Sequence, residues 1–280
     1  MTGIISSAWM VPWFPDRRNM RRSKKTDGAE WSQLRAVNVS KRFGSGPLVL
    51  SDVSFSVRRG DFLCVLGPSG CGKSTLLDII AGFERPTAGR VSFDENEIKG
   101  PGPDRVVVFQ DISNALFPWL TVRENVEFGL KAVATPQERR RLSDEAIALV
   151  NLGGHDGKFP SELSGGMKQR AQIARGIVMN PDILLMDEPF AALDAFTRRN
   201  LQLELRALWA RTGKTIVFIT HDIAEALTLA TDIIVLSEGP GSKIRQKFKP
   251  ALGKSVEPTS RKWIAAYEKV ASSIEGVEKH

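Results

Sequence analysis

Residues 67–75 read Gly-Pro-Ser-Gly-Cys-Gly-Lys-Ser-Thr, placed between an apolar run, "FLCVLG", and a helical pattern, "TLLDIIAG". This is the spacing G-x-x-x-x-G-K-[ST] in the strand–loop–helix setting that a phosphate loop requires. Glycines let consecutive amides converge on phosphate oxygens, and the following helix N-terminus adds favourable partial charge. The whole run, Gly67, Pro68, Ser69, Gly70, Cys71, Gly72, Lys73, Ser74 and Thr75, is the candidate nucleotide cradle. Lys73 would reach the β- and γ-phosphates, and the Ser74 hydroxyl would face a Mg²⁺ ion.

Two carboxylates, Asp187 and Glu188, end a second apolar run, "ILLMDEP". An Asp-Glu pair alone is often only a strand-end turn. Behind four apolar residues and downstream of a phosphate loop, it reads as a metal-holding Asp187 and a general base, Glu188, that polarises the attacking water. His221 follows a third such run, "TIVFIT", and Gln110 ends a fourth, "VVVFQ". A lone histidine is more often structural than functional. Ligands of open α/β sheets, however, collect at the carboxyl ends of parallel strands. His221 is therefore a candidate contact to the γ-phosphate, and Gln110 a candidate contact to the metal or the water.

Those groups need elements to hold them. "FLCVLG", "ILLMD", "TIVFIT" and "DIIVLS" are short, continuously apolar and β-branched, as strands buried on both faces of a parallel sheet are. Helical patterns such as "STLLDIIAG" and "RRNLQLELRALWAR" separate them, which predicts βαβ units. Before residue 60, "LRAVNVSKRF" and "VSFSV" alternate apolar and polar residues, and "GRVSFDENEI" at 89–98 reads as a further strand of that antiparallel kind. Residues 113 to about 165 carry no buried strand and read as a helical lobe. The expected class is α/β: a P-loop NTPase with a mostly parallel core sheet, an antiparallel β subdomain and a helical lobe.

The 280 residues, 42% hydrophobic, suffice for a full core. No apolar run approaches the ~20 residues that span a bilayer. The two cysteines, Cys64 and Cys71, form neither a disulfide framework nor a metal-ligand set, which fits a reducing compartment. A formal charge of +7 favours an anionic partner. Six basic residues (Arg17, Arg18, Arg21, Arg22, Lys24 and Lys25) crowd one stretch, so residues 1–30 read as a basic extension without a packed core. With Trp9, Trp13 and Phe14, that stretch could also meet an anionic membrane face. The nucleotide-binding domain is expected over 31–242, followed by a short extension at 243–280 with one helix, "SRKWIAAYEKVASSI".

A last motif, "LSGGMKQR" at 163–170, starts a helix with two glycines and bared amides. Together with "GPSGCGKST", Gln110, "ILLMDEP", "ALD" at 192–194 and His221, it makes the chain resemble the nucleotide-binding subunits of ATP-binding cassette (ABC) transporters over residues 34–240. The resemblance implies that Ser164, Gly165 and Gly166 close over the γ-phosphate held by a second copy, so that two ATP molecules are sandwiched between two chains. It implies that Asp194 connects the two sites across that interface, that Phe43 stacks on adenine, and that ATP and Mg²⁺ are bound. Phe43 could also be a core residue at a strand edge. "FPWLTV", "DEPFAALDAFTR" and "THDIAEAL" resemble importers of nitrate, taurine and aliphatic sulfonates, although Ala191 stands where glycine is usual and "SNAL" lengthens one loop. The implied partners are integral membrane permease subunits, contacted through the aromatic "FPW" turn, and indirectly a substrate-binding protein, with no nucleic acid. The implied location is the cytoplasmic face of the inner membrane. A soluble ABC protein acting on ribosomes or DNA is the alternative. Lys73 and the helix N-terminus are expected to favour a reactive thiolate at Cys71.

Overall fold

A computed structural model of the chain describes residues 32–111, 115–250 and 260–275. The basic N-terminal extension and the Ser113 and Asn114 of the "SNAL" segment lie outside the described residues.

The alternating segments form an antiparallel sheet. Strand β1 (Ser32–Arg42) pairs with β2 (Leu48–Arg58), and the sheet order is β2-β1-β4-β5, with β4 at Ala88–Phe93 and β5 at Asn96–Glu97. Val53, Phe55 and Val57 of β2 point inwards, as the alternation predicts. The stretch 89–98, expected as one strand, is a hairpin. Asp94 and Glu95 both take left-handed backbone angles (φ 44° and 69°) and turn the chain back on itself. A two-residue turn with both φ positive matches the twist of the flanking strands.

The continuously apolar runs form the second sheet, in the order β10-β9-β3-β8-β7-β6. These strands are β3 (Phe62–Leu66), β6 (Arg105–Val108), β7 (Ile183–Asp187), β8 (Thr215–Ile219), β9 (Asp232–Leu236) and β10 (Ile244–Phe248). From β6 to β9 all neighbours are parallel, whereas β10 is antiparallel to β9. The core sheet therefore continues past residue 242. Every residue of β3 and β8 is buried, because elements cover both faces. One cluster of buried side chains, including Leu34, Val53, Leu76, Ile80 and Val217, joins the two sheets through α1 (Lys73–Ala81).

The lobe contains α2 (Val122–Glu127) and α3 (Pro136–Leu149), each opened by a capping box, Thr121 with Glu124 and Thr135 with Glu138. Arg123 of α2 ties the lobe's far loop to α3, donating to Asp156 Oδ2 in the loop (2.7 Å from Nη2) and to Asp144 Oδ1 on α3 (2.6 Å). The fully buried Asn125 shapes the aromatic turn. It accepts from the Phe117 N–H at 2.8 Å and donates to the carbonyls of Phe117, Leu120 and Thr121. Beyond the lobe follow α4 (Gly165–Ile177), α5 (Ala195–Thr212), α6 (Ile223–Leu229) and α7 (Arg261–Glu275).

Candidate nucleotide site

Parallel pairing fixes where the motifs end up. Ile219 is level with both Val65 and Asp187, and Val108 with Met186. Strands β3, β6, β7 and β8 thus terminate side by side, and the residues that follow them gather along one sheet edge. The phosphate loop, Glu188, His221 and Gln110 all lie just beyond those ends.

The phosphate loop is held by close packing. Gly72 caps α1 with φ 92°, and a Cβ there would come within 2.9 Å of both the Val49 and Leu50 side chains. Lys73 is buried, and its Nζ donates to the carbonyls of Gly67 (2.8 Å) and Pro68 (2.9 Å), which sets the ammonium in the loop's mouth. Burial raises the Asp187 carboxyl above its usual range and Glu188 adds to the rise, while a hydrogen bond from Ser74 and the charge of Lys73 oppose it. Ser74 and Asp187 therefore present two hard oxygen donors beside a phosphate cradle, a set that fits Mg²⁺ completed by substrate oxygens.

Glu188 adopts a left-handed backbone (φ 39°), rare for a residue with a side chain. Its N–H donates to the Ile219 carbonyl at 3.1 Å, and its Oε2 lies 2.9 Å from His221 Nδ1. Strain of this sort, fixed by a neighbouring strand, clusters at functional sites. Gln110 is exposed two residues past β6, and the Gln172 side-chain amide of α4 donates to the adjoining Phe109 carbonyl at 3.0 Å. The α4 helix thus steadies the segment that carries Gln110.

Ser164 is the N-cap of α4, with Gly165 exposed beside it, so the helix end is open to a ligand. The second glycine has a further cause that the motif alone does not reveal. A Cβ on Gly166 would meet Thr197 Cγ2 at 2.7 Å, so the start of α5 leaves no room for a side chain. Asp194 caps α5, its Oδ1 accepting from the N–H groups of Phe196 (3.1 Å) and Thr197 (3.0 Å). Those hydrogen bonds, with the Thr197 hydroxyl, hold its carboxyl below the usual range.

Phe43 is 49% exposed, which removes the strand-edge core reading. Lys41 Nζ sits 4.7 Å from its ring centroid, on one face. Cys71 departs from expectation. It is 1% exposed, and burial pushes its thiol up by more than Lys73 and the backbone amides pull it down. The thiol is therefore protonated and shielded rather than reactive. In the lobe Trp119 is 70% exposed and Phe128 is also exposed, while Phe117 is half-buried between them. The Arg175 guanidinium lies 4.4 Å from the Phe117 centroid, and its Nη1 donates to the Ala115 carbonyl at 2.8 Å. Arg175, which helps build this surface, carries no signal in the sequence beyond its helical spacing.

Comparison with known proteins adds an independent line. Residues 50–191 match the family described as ABC transporter. The chain is 49% identical over 214 residues to the bicarbonate transport ATP-binding protein CmpC of Synechococcus elongatus, covering 74% of this chain and 32% of that protein. It thus spans about a third of that relative's length. It is 46% identical over 234 residues to the taurine import ATP-binding protein TauB of Chromobacterium violaceum, covering 83% of this chain and 86% of that protein. Among solved structures, cbiO1 of Clostridium perfringens, part of the ABC transporter complex cbiONQ, superposes with a TM-score of 0.72 at 28% identity, over 78% of this chain and 89% of cbiO1. The dimeric ATP-binding cassette MJ0796 bound to ADP and Pi superposes with a TM-score of 0.65 at 33% identity, over 77% of this chain and 98% of that one.

Proposed function

Because the chain belongs to the ABC transporter family, we propose that it is the ATP-hydrolysing subunit that powers import of a small nutrient through a membrane permease. The observation that carries the reading is the convergence of a phosphate loop, Asp187 and the Glu188–His221 pair on one sheet edge. The amides of Gly70–Ser74 and the Lys73 ammonium bind the β- and γ-phosphates, and the exposed face of Phe43 stacks on the adenine. Ser74, Asp187 and Gln110 would hold Mg²⁺, which would neutralise charge developing on the phosphate oxygens. Glu188 takes a proton from the attacking water, and His221, braced against Glu188, contacts the γ-phosphate.

One copy leaves the opposite face of that phosphate uncovered. The N-terminus of α4 in a second copy, with Ser164 and the amides of Gly165 and Gly166, supplies an anion-binding end of the sort its dipole favours. Two ATP molecules then join two chains, and hydrolysis releases them. Asp194, at the head of α5, links one site to the other. The dimeric cassette with ADP and Pi among the structural matches supports this arrangement.

On this reading the exposed Trp119 and Phe128 form the surface offered to the permease, and the chain works at the cytoplasmic face of the membrane. No helix among the described residues is long and apolar enough to cross a bilayer. Likeness to TauB, and the sequence resemblance to importers of nitrate and sulfonates, support a small anionic or zwitterionic cargo delivered by a substrate-binding protein. The test is affinity purification of the tagged chain from gently solubilised membranes. A multi-span protein at equal stoichiometry is expected. Recovery of ribosomes or DNA instead would favour a soluble ABC protein.

A further inference from the structure

Behind the catalytic edge runs a line of buried polar contacts that the hydrolysis chemistry leaves unused. Gln202 lies on the buried side of α5, the helix that Asp194 caps. Its Nε2 donates to Glu225 Oε1 on α6 at 3.0 Å. The other carboxylate oxygen, Oε2, accepts from Thr220 Oγ1 at 2.5 Å. Thr220 Oγ1 in turn accepts from the Asp222 N–H at 3.0 Å. Thr220 and Asp222 flank His221 in the chain, so the line ends on both sides of the histidine. Asp222 also caps α6, accepting from the N–H groups of Ala224 (2.7 Å) and Glu225 (3.2 Å).

Gln202, Thr220 and Glu225 are all buried. A buried carboxylate is costly, and an apolar side chain of like volume would pack there at less expense. Burial pushes the Glu225 carboxyl up, the Asp222 charge adds to the rise, and the hydrogen bonds from Thr220 and Gln202 and the charge of Arg198 oppose it. Such networks fix one geometry when every member is satisfied. This one fixes the turn that carries His221 relative to the helix headed by Asp194. A single cleft is lined by Glu188, Arg198, His221, Asp222 and Glu225, so the line and the reacting pair share one wall.

We propose that Gln202 and Glu225 are positioning residues that tie the His221 turn to the Asp194-capped helix, so that displacement of the Asp194 segment by a second copy is delivered to His221. This rests on the reading of His221 as a group that contacts the γ-phosphate. Coupling of this sort needs a physically continuous element that both ends bias, and the hydrogen-bonded line supplies one.

The test is a double-mutant cycle on the full chain, following phosphate release at saturating and limiting MgATP. Gln202→Met keeps the volume and removes the donor. It is expected to lower kcat about tenfold and to leave KM for ATP within about twofold, since the phosphate loop is untouched. In a His221→Ala background the same substitution is expected to change kcat by less than about twofold, because its route of action is gone. Equal losses in both backgrounds, or a KM that rises in step with the loss of kcat, would overturn the proposal, since a general structural defect acts regardless of His221. If His221→Ala alone hydrolyses ATP at the full rate, the role of the histidine falls, and this inference with it. Should Gln202→Met fail to fold, Glu225→Gln, which keeps its shape and one acceptor oxygen, carries the same cycle with the same outcomes.

Discussion

Glu188 and His221 meet at 2.9 Å although 33 positions separate them, because β7 and β8 pair in parallel and end level with each other. The Glu188 N–H bonds to the Ile219 carbonyl of β8, so its backbone is anchored to the strand that presents the histidine. A carboxylate placed this way can hold the imidazole and still face the phosphate loop.

Removing the base without disturbing that shape should separate binding from turnover. Glu188→Gln is expected to bind ATP, to lose about 10²- to 10⁴-fold in hydrolysis, and to accumulate as an ATP-bound dimer. Phosphate release and size-exclusion chromatography with MgATP check both parts. A Glu188→Gln variant that stayed monomeric with ATP would argue against the two-chain sandwich.

Phe43 offers one ring face to solvent while Lys41 covers the other. Phe43→Leu should raise KM for ATP about 2- to 10-fold, the range of a lost aromatic stack, with kcat nearly unchanged. Phe43→Tyr should retain wild-type KM. Steady-state kinetics with ATP decides, and an unaltered KM in Phe43→Leu would remove this ring from the binding site.

The glycines at the head of α4 should differ in what they tolerate. A Cβ on Gly166 meets Thr197 Cγ2 at 2.7 Å, whereas one on Gly165 meets only the flexible Leu193 side chain at 3.2 Å. Gly166→Ala should cost about 1–3 kcal/mol of stability through overpacking, and Thr197→Ser, which deletes the offending methyl, should restore most of it. Thermal melts of the single and double variants measure this. Gly165→Ala is expected to spare the melting temperature and to weaken ATP-dependent dimerisation.

Burial raises the thiols of both Cys64 and Cys71 above their ordinary range. The folded state therefore favours the protonated form. The associated stability is complete below the ordinary thiol range and declines as pH climbs from about 8.5 upwards. A Cys64→Ala/Cys71→Ala protein should lose less melting temperature between pH 8 and 10 than the parent. Alkylation of the native protein at pH 8 should be slow and should speed up in denaturant. Rapid native modification at Cys71, blocked by MgATP, would show instead that the loop opens readily.

The chemistry was the most legible part of the sequence. Phosphate loop, Asp187, Glu188 and His221 each follow an apolar run, and a strand end is a local signal that survives without knowledge of the sheet. What escaped was set by tertiary packing. Lys73 and the helix N-terminus are visible beside Cys71, but the side chains that bury its thiol come from elsewhere in the chain. The 89–98 hairpin was hidden because Asp94 and Glu95 take left-handed angles without the Asn or Gly that normally flags them. Gln202 and Glu225 sit in separate helical patterns whose approach depends on how α5 and α6 cross. The need for glycine at 166 was readable as bared amides, while its second cause, the nearness of Thr197, was not.

The place of β3 in the sheet has a cost that falls during synthesis. Its two neighbours are β8 and β9, yet Thr215, where β8 begins, lies 149 positions after Leu66. At ~5–20 residues per second a ribosome needs roughly 7–30 s to cover that distance. Throughout that interval the fully apolar "FLCVL" segment has neither flank available. The chain can assemble its antiparallel sheet early, but its nucleotide strand must wait, sticky and unpaired, for almost the last part of the domain. Holding factors that shield short apolar stretches on nascent chains would find this protein a demanding client, and a truncated message would yield a fragment with a phosphate loop sequence and no sheet to display it.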